Sequence, residues 1–306
     1  MNDKQDTRCG FVALIGAPNA GKSTLLNALV GGKVAIVSHK VQTTRALIRG
    51  IAMQDTGKGA SQLIFIDTPG IFAPKRRLDR AMVTTAWGGA ADADTVGLLI
   101  DAKKGLDEEN SEIVEKLKQN SRPKVLILNK VDVTGKEKLL SLTGELNAQL
   151  KFQATFMVSA LTGDGVADLK KWFAENVPSG PFHYPPDQMS DVPLRQLAAE
   201  ITREKLYERL HQELPYQSTV ETEVWKELRD GKVRIEQTIY VQRESQRKIV
   251  LGKAGATIKA IGASSRKEIA EIVENKVDLF LFVKVREGWG DDPDRYRGMG
   301  LEFPKE

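Results

Sequence analysis

Residues 16–23 read GAPNAGKS, a glycine and a second glycine five residues apart followed by a lysine and a hydroxyl. Glycines at this spacing let backbone N–H groups turn inward around an anion at a helix start, which is chemistry suited to phosphate. Gly16, Ala17, Pro18, Asn19, Ala20, Gly21, Lys22, Ser23 and Thr24 are therefore expected to cradle a nucleotide. Lys22 would reach the β- and γ-phosphates, and Ser23 would offer Mg²⁺ its hydroxyl. Asp67, Thr68, Pro69 and Gly70 spell DTPG, a carboxylate able to hold Mg²⁺ through water and a glycine amide able to sense the γ-phosphate. Alone, those four residues are also ordinary turn chemistry.

Asn129, Lys130, Val131 and Asp132 form NKVD, and this stretch selects the base. Asp132 can accept two hydrogen bonds from the adjacent ring N–H and amine of guanine, a pair of donors adenine lacks. Adenine would leave a desolvated carboxylate unpaired. Asn129 would brace the loop, Lys130 would lie along the base, and the amide of Ala160, in the stretch Ser159-Ala160-Leu161, would favour the guanine carbonyl. In SHKVQTTRALIRG, residues 38–50, no clean periodicity precedes Ala46. A flexible loop is expected there, with Thr43 or Thr44 closing on Mg²⁺ and the γ-phosphate.

A second constellation lies far downstream. Gly252, Lys253, Ala254 and Gly255 form a GxxG turn between two helical stretches, and residues 232–267 carry nine basic side chains against two acids. Small residues at such a turn let the backbone approach nucleotide phosphates, so Arg247, Lys248, Lys253 and Lys259 would flank a groove for about four single-stranded nucleotides. GxxG alone also fits a plain helix cap.

The elements that must position these residues follow from apolar runs at Phe11–Ile15, Leu63–Ile66, Val96–Ile100, Val125–Leu128 and Thr155–Val158. Runs without polar alternation suit strands buried on both faces, so a doubly wound, mostly parallel sheet wrapped by helices is expected. Each signature falls just after a run, where such a sheet binds ligands. Residues 177–193, VPSGPFHYPPDQMSDVP, read as a linker. Beyond them the spacing predicts a helix over Leu194–His211, a strand around Val220–Trp225, a hairpin turn at Asp230-Gly231, a strand over Val233–Val241, helices over Gln246–Leu251 and Ala256–Val273, and a strand over Val277–Val285. The tail after it has no secondary period, and Trp289 and Phe303 read as anchors of a loose end, the other reading, a place beside the RNA groove, being one that only the family resemblance given below implies. The expected domains are 1–177, a linker at 178–193, and 194–306.

With 306 residues, 28% charged and 41% hydrophobic, the chain is long enough for two globular cores. One cysteine, Cys9, excludes an intrachain disulfide, and with three histidines it argues against structural zinc. No export-type start or membrane-length apolar run is seen, so a cytoplasmic location is expected.

Taken together, GAPNAGKS, QTTR, DTPG, NKVD and SAL resemble the translation-factor-related class of GTPases. With the GxxG domain, nearly all of residues 8–303 resembles the Era family of bacterial RNA-binding GTPases. The resemblance implies a P-loop GTPase domain followed by a smaller α+β type II KH domain. It also implies slow hydrolysis of GTP to GDP, binding of the 3′ region of 16S rRNA, and assistance to 30S subunit maturation, with a monomer expected. It favours Thr44 over Thr43 as an Mg²⁺ ligand beside Ser23 and Asp67, with Lys22, Thr44 and Gly70 as catalytic residues. Ile71 stands where many GTPases place a glutamine that orients water, and Asn19 is expected either to help bind K⁺ or to tolerate a tight turn. The alternative function is a nucleotide-gated adaptor for protein partners or the inner membrane, using the amphipathic helix at 194–211.

Overall fold

The computed structural model describes residues 7–304 except 39, 41, 42, 58, 75, 211–213, 290 and 291. The described residues of 1–35, 44–191 and 299–306 form one unit, and those of 36–43 and 192–298 form the other. Both assignments depart from a division at 177 and 194. The described residues of 36–43 group with the second unit and those of 299–304 with the first, while residues 178–191 are held by the first.

The first unit contains β1 (Arg8–Ile15), α1 (Lys22–Val30), β2 (Ile48–Asp55), β3 (Ala60–Asp67), α2 (Arg77–Asp92), β4 (Thr95–Asp101), α3 (Glu108–Leu117), β5 (Lys124–Asn129), α4 (Lys136–Gln149), β6 (Ala154–Val158) and α5 (Val166–Asn176). Its sheet runs β2-β3-β1-β4-β5-β6, parallel throughout except for the β2–β3 pair. Every residue of β4 and β5 is buried, as expected of strands covered on both faces. The neighbours of β1 are β3 on one side and β4 on the other, so chain order reverses there and a crevice opens at its carboxyl end.

β2 is the strand the sequence reading lacks. IRGIAMQD interrupts its apolar residues with Arg49, Gly50 and Gln54, and an edge strand needs neither a continuous run nor strict alternation. Its outer edge is covered by the stretch expected to be a free linker. The Ile51 N–H donates to the Met189 carbonyl at 2.8 Å, and Arg49 pairs with Asp191 at 2.8 Å. Gln62 takes the amides of His183 and Tyr184 on its Oε1 at 2.9 and 3.0 Å, which gives those two residues a docking role.

The second unit contains α6 (Leu194–Arg209), β7 (Ser218–Glu227), β8 (Val233–Val241), α7 (Glu244–Leu251), α8 (Ala256–Ile272), β9 (Val277–Val285) and α9 (Pro293–Gly298). His211, the expected end of α6, lies outside the described residues. β8 pairs antiparallel with β7 and parallel with β9. The expected order α-β-β-α-α-β is present, and the added α9 is too short to show a helical period in sequence. Leu197, Ala198 and Ile201 of α6 are buried with Val233, Ile235, Ile269 and Val277, while Leu206 joins Ile239, Val241 and Ile261. The apolar residues of α6 are thus core residues of this unit. Among the described residues no helix is long and apolar enough to cross a membrane.

The tail is packed at Trp289 and at Phe303. The Trp289 indole N–H donates to the Gln217 carbonyl at 2.9 Å, and the Arg295 guanidinium lies 4.5 Å above the Tyr240 ring. Phe303, in the first unit, sits 5.2 Å beneath the Arg77 guanidinium.

Candidate functional site

The loop between β1 and α1 is shaped by contact as well as by conformation. Gly21 has φ +100, and a Cβ there would lie 2.3 Å from Asn129 Nδ2. α1 therefore begins without a side-chain cap, leaving its first N–H groups to an anion. Asn19 also adopts a left-handed conformation, φ +62, so the tight-turn role is occupied in this structure. The Ala20 N–H donates to the Ala17 carbonyl at 3.3 Å, and Lys22 Nζ donates to the carbonyls of Gly16 and Ala17 at 3.0 Å each. Burial pushes the Lys22 pKa down to about 8, with the Asp67 carboxylate opposing the shift. Thr24 follows Ser23 in the first turn of α1.

Ser23, Thr44 and Asp67 come together from α1, the loop before β2 and the end of β3. Ser23 Oγ donates to Asp67 Oδ2 at 2.6 Å, lies 2.9 Å from Thr44 Oγ1, and Thr44 Oγ1 donates to Asp67 Oδ2 at 3.2 Å. Asp67 is buried, and its Oδ1 has no hydrogen-bond partner among the described residues. Burial raises the Asp67 pKa while Lys22, Ser23 and Thr44 act to lower it. Two hydroxyls and a carboxylate with an unsatisfied oxygen are a hard-oxygen set that fits Mg²⁺. Thr43 is placed elsewhere: its hydroxyl donates to the Lys40 carbonyl at 2.7 Å.

The DTPG loop is tied back to the phosphate loop. Thr68 Oγ1 donates to the Leu14 carbonyl at 2.8 Å, and the Ile71 N–H donates to the Gly16 carbonyl at 3.1 Å. Pro69 leads into Gly70, where a Cβ would meet Pro18 at 3.0 Å. The Ile71 side chain is buried in the core with Ala17, Ala86 and Ala90, so it presents nothing to a water molecule.

Asn129 joins the base-reading signatures to the phosphate loop. Its Nδ2 donates to the Ala20 carbonyl at 2.8 Å while its Oδ1 accepts from the Ala160 N–H at 3.0 Å. Lys130, at φ +66, donates to the Asn19 carbonyl at 2.8 Å and pairs with Asp101 at 2.7 Å. Asp132 is exposed on the short 3₁₀ turn Val131–Val133, Ser159 Oγ accepts from the Thr162 N–H at 3.1 Å, and Leu161 is 82% exposed. Sequence reasoning overlooked Asp101, whose signal is its place directly after the apolar run 96–100, at the same sheet edge as the other signatures.

The GxxG turn of the second unit joins α7 to α8 through a 3₁₀ turn, Lys253–Gly255. Gly252 has φ +72 and ψ 173, and a Cβ there would meet Thr257 Oγ1 at 2.2 Å. Ala254 is left-handed at φ +51, and Lys253, Ala254, Lys248 and Lys259 are exposed. Arg247 is engaged, donating to Glu244 at 2.9 Å and to the Val283 carbonyl of β9 at 3.3 Å. Ile249, 55% exposed beside this turn, supplies an apolar surface next to the cations.

A family model described as 50S ribosome-binding GTPase matches residues 11–130, and a KH domain model matches 213–290. GTPase Era of Bradyrhizobium sp. (strain ORS 278) is 70% identical over 300 residues, 98% of this chain and 96% of that protein. GTPase Era of Rhizobium meliloti (strain 1021) is 64% identical over 299 residues, covering 98% of this chain and 94% of that one. Among solved structures, a variant of Aquifex aeolicus Era bound to GDP and aluminium fluoride is 35% identical with a TM-score of 0.90, over 96% of this chain and 99% of that one. A structure of Era in complex with MgGDPNP and nucleotides 1506–1542 of 16S ribosomal RNA is 35% identical with a TM-score of 0.89, over the same shares. With relatives of this identity covering almost the whole chain, the chain belongs to the Era family of GTPases.

Proposed function

We propose that the pocket along the carboxyl edge of the first unit's sheet binds GTP with Mg²⁺, and that the GxxG face of the second unit docks on the 3′ region of 16S rRNA during maturation of the small ribosomal subunit. The observation that carries the nucleotide reading is Asn129, one side chain bonded to both the phosphate loop and the Ala160 loop. Ser23, Thr44 and Asp67 would hold Mg²⁺, which supplies charge neutralisation for the phosphates. Lys22 carries a further positive charge, and the Gly70 N–H would register the γ-phosphate. Asp132 would read guanine, with Lys130 and Leu161 against the faces of the base. With Ile71 buried in the core, slow intrinsic turnover is expected.

The RNA reading is supported by the fold of the second unit, the cations at Lys248, Lys253 and Lys259, and the RNA fragment held by the Era structure of similar fold. Asn19 is proposed as a K⁺ ligand, so turnover in potassium should exceed that in sodium; equal rates remove this role. A cytoplasmic monomer fits the reading.

Competition against labelled GDP tests the base assignment: GTP should displace it and ATP should not. Displacement by ATP at similar concentration would overturn guanine selectivity. For RNA, Gly252→Asp and Gly255→Asp should abolish binding of a single-stranded 16S 3′ fragment while GTP hydrolysis persists. Undiminished RNA binding in both variants would favour the adaptor instead.

A further inference from the structure

β4 ends at Asp101, which lies directly across the parallel ladder from Asn129, the last residue of β5. The topology therefore sets a carboxylate beside NKVD. Asp101 is buried, and its two carboxylate oxygens have separate tasks. Oδ1 accepts from the Lys103 N–H at 2.9 Å and so closes the turn after β4, in which the Lys104 and Gly105 N–H groups donate to the Asp101 carbonyl at 3.0 and 2.9 Å. Oδ2 accepts from Lys130 Nζ at 2.7 Å.

Lys130 is held at both ends. Its backbone is left-handed at φ +66, and its carbonyl accepts from the Val133 N–H at 3.2 Å and from the Thr134 hydroxyl at 2.8 Å. Its ammonium also donates to the Asn19 carbonyl at 2.8 Å. With root and tip both fixed, the alkyl stem between them spans from the NKVD loop to the phosphate loop with little freedom left. Ordering so flexible a side chain costs rotamer entropy, and the ion pair meets that cost before any nucleotide arrives. A neutral carbonyl alone is a weaker anchor, since a hydrogen bond between two charged groups is about twice as strong as one between neutral groups. The Lys130 side chain is 35% exposed, so without Asp101 its tip has water to turn to.

We infer that Asp101 is a positioning residue for guanine nucleotides: by anchoring the Lys130 ammonium it lays the lysine stem down as a preformed apolar wall for one face of the base, and so lengthens the residence of GDP and GTP alike. The inference rests on reading Lys130 as a residue that lies along the base. Asp101 acts only through Lys130. A stem packs on the flat face of any purine, whereas Asp132 reads the edge of guanine, so the anchor sets how long a nucleotide stays and leaves the choice of base to Asp132.

The full chain carrying Asp101→Asn, Lys130→Met or both tests this, with dissociation constants and dissociation rates measured for GDP, a non-hydrolysable GTP analogue and inosine diphosphate, and folding checked by thermal melts. Asp101→Asn keeps one oxygen for the Lys103 N–H and turns an amide donor toward the ammonium, so the turn survives and the anchor does not. It should weaken GDP and the analogue alike by about tenfold, through faster dissociation. The preference for GDP over inosine diphosphate, which lacks the amine that Asp132 reads, should stay as it is in the unmodified chain. Lys130→Met keeps a stem without its anchor and should lose a similar factor, and adding Asp101→Asn to it should cost nothing more, because both changes break one contact. A folded Asp101→Asn protein that binds GDP as tightly as the unmodified chain, losses that add in the double variant, or a collapsed preference over inosine diphosphate would each overturn the assignment. Should Asp101→Asn not fold, Lys130→Met decides: the expected loss upholds the anchor, and undiminished GDP affinity overturns it. Failure of the underlying pocket reading looks different, since the unmodified chain would then bind GDP no better than ADP.

Discussion

Asn129 shows how many loops one amide can hold together. It is buried, donates to one loop and accepts from another, so Asn129→Ala strands the Ala20 carbonyl and the Ala160 N–H together. Leaving two buried groups unpaired should cost about 2–4 kcal/mol of stability, read as a lower denaturant midpoint, together with a loss of GDP affinity. Asn129→Asp keeps the acceptor for Ala160 but sets a carboxylate oxygen against the Ala20 carbonyl, and should be no better. Lys22 gives the residue scale a pH signature. Its pKa is about 8 in the folded protein against 10.5 for the ordinary side chain, so between those values the unfolded chain binds more protons. Stability of the nucleotide-free protein should rise with pH across that window through this group and be flat in it below pH 8. Phosphate favours the charged amine, so nucleotide binding should take up a proton above about pH 8, and GDP affinity should fall by up to about tenfold per pH unit there. Calorimetry in buffers of different ionisation enthalpy checks the uptake.

Elements decide how these side chains are presented, and the GxxG turn gives a contrast within four residues. Gly252→Ala forces a Cβ within 2.8 Å of the Thr257 backbone N at a conformation reserved for glycine, whereas a Cβ at Gly255 would meet Lys259 Cε at 3.9 Å. Gly252→Ala should cost about 1–3 kcal/mol and weaken RNA binding, while Gly255→Ala should cost nearer 1 kcal/mol. Thermal melts of the two variants make the comparison. The strands bearing GAPNAGKS, DTPG and NKVD were legible because burial on both faces demands unbroken apolar runs, and β9, which holds the apolar run Leu279–Val283, matches its expected span of Val277–Val285. β2 was hidden because an edge strand covered by residues 189–191 needs no such pattern. The docking of residues 36–43 was equally hidden. Ile36, Val37 and Lys40 carry no local period, and their partners lie more than 150 positions away in sequence.

For the whole molecule, net charge understates the electrostatics: +4 overall coexists with nine cations between 232 and 267. RNA affinity should therefore fall with salt, by roughly 0.7 log units per decade for each phosphate neutralised. Replacing Lys253 or Lys259 with Met should reduce that slope by about one phosphate each in a titration from low to moderate salt. A flat salt response would remove the phosphate groove. Arg247 should contribute less, because Glu244 and the Val283 carbonyl already engage it.

Ile36 makes the carboxyl-terminal half an incomplete object when cut free. A fragment of residues 192–298 would keep Leu197, Ile201, Ile235, Ile269 and Val277 but lose the side chain that fills the space among them. An emptied aliphatic socket of that kind should lower its stability by about 2–5 kcal/mol and leave it prone to self-association. A synthetic peptide spanning residues 34–43, added in trans, should restore the melting temperature, and an Ile36→Asp version of the same peptide should not.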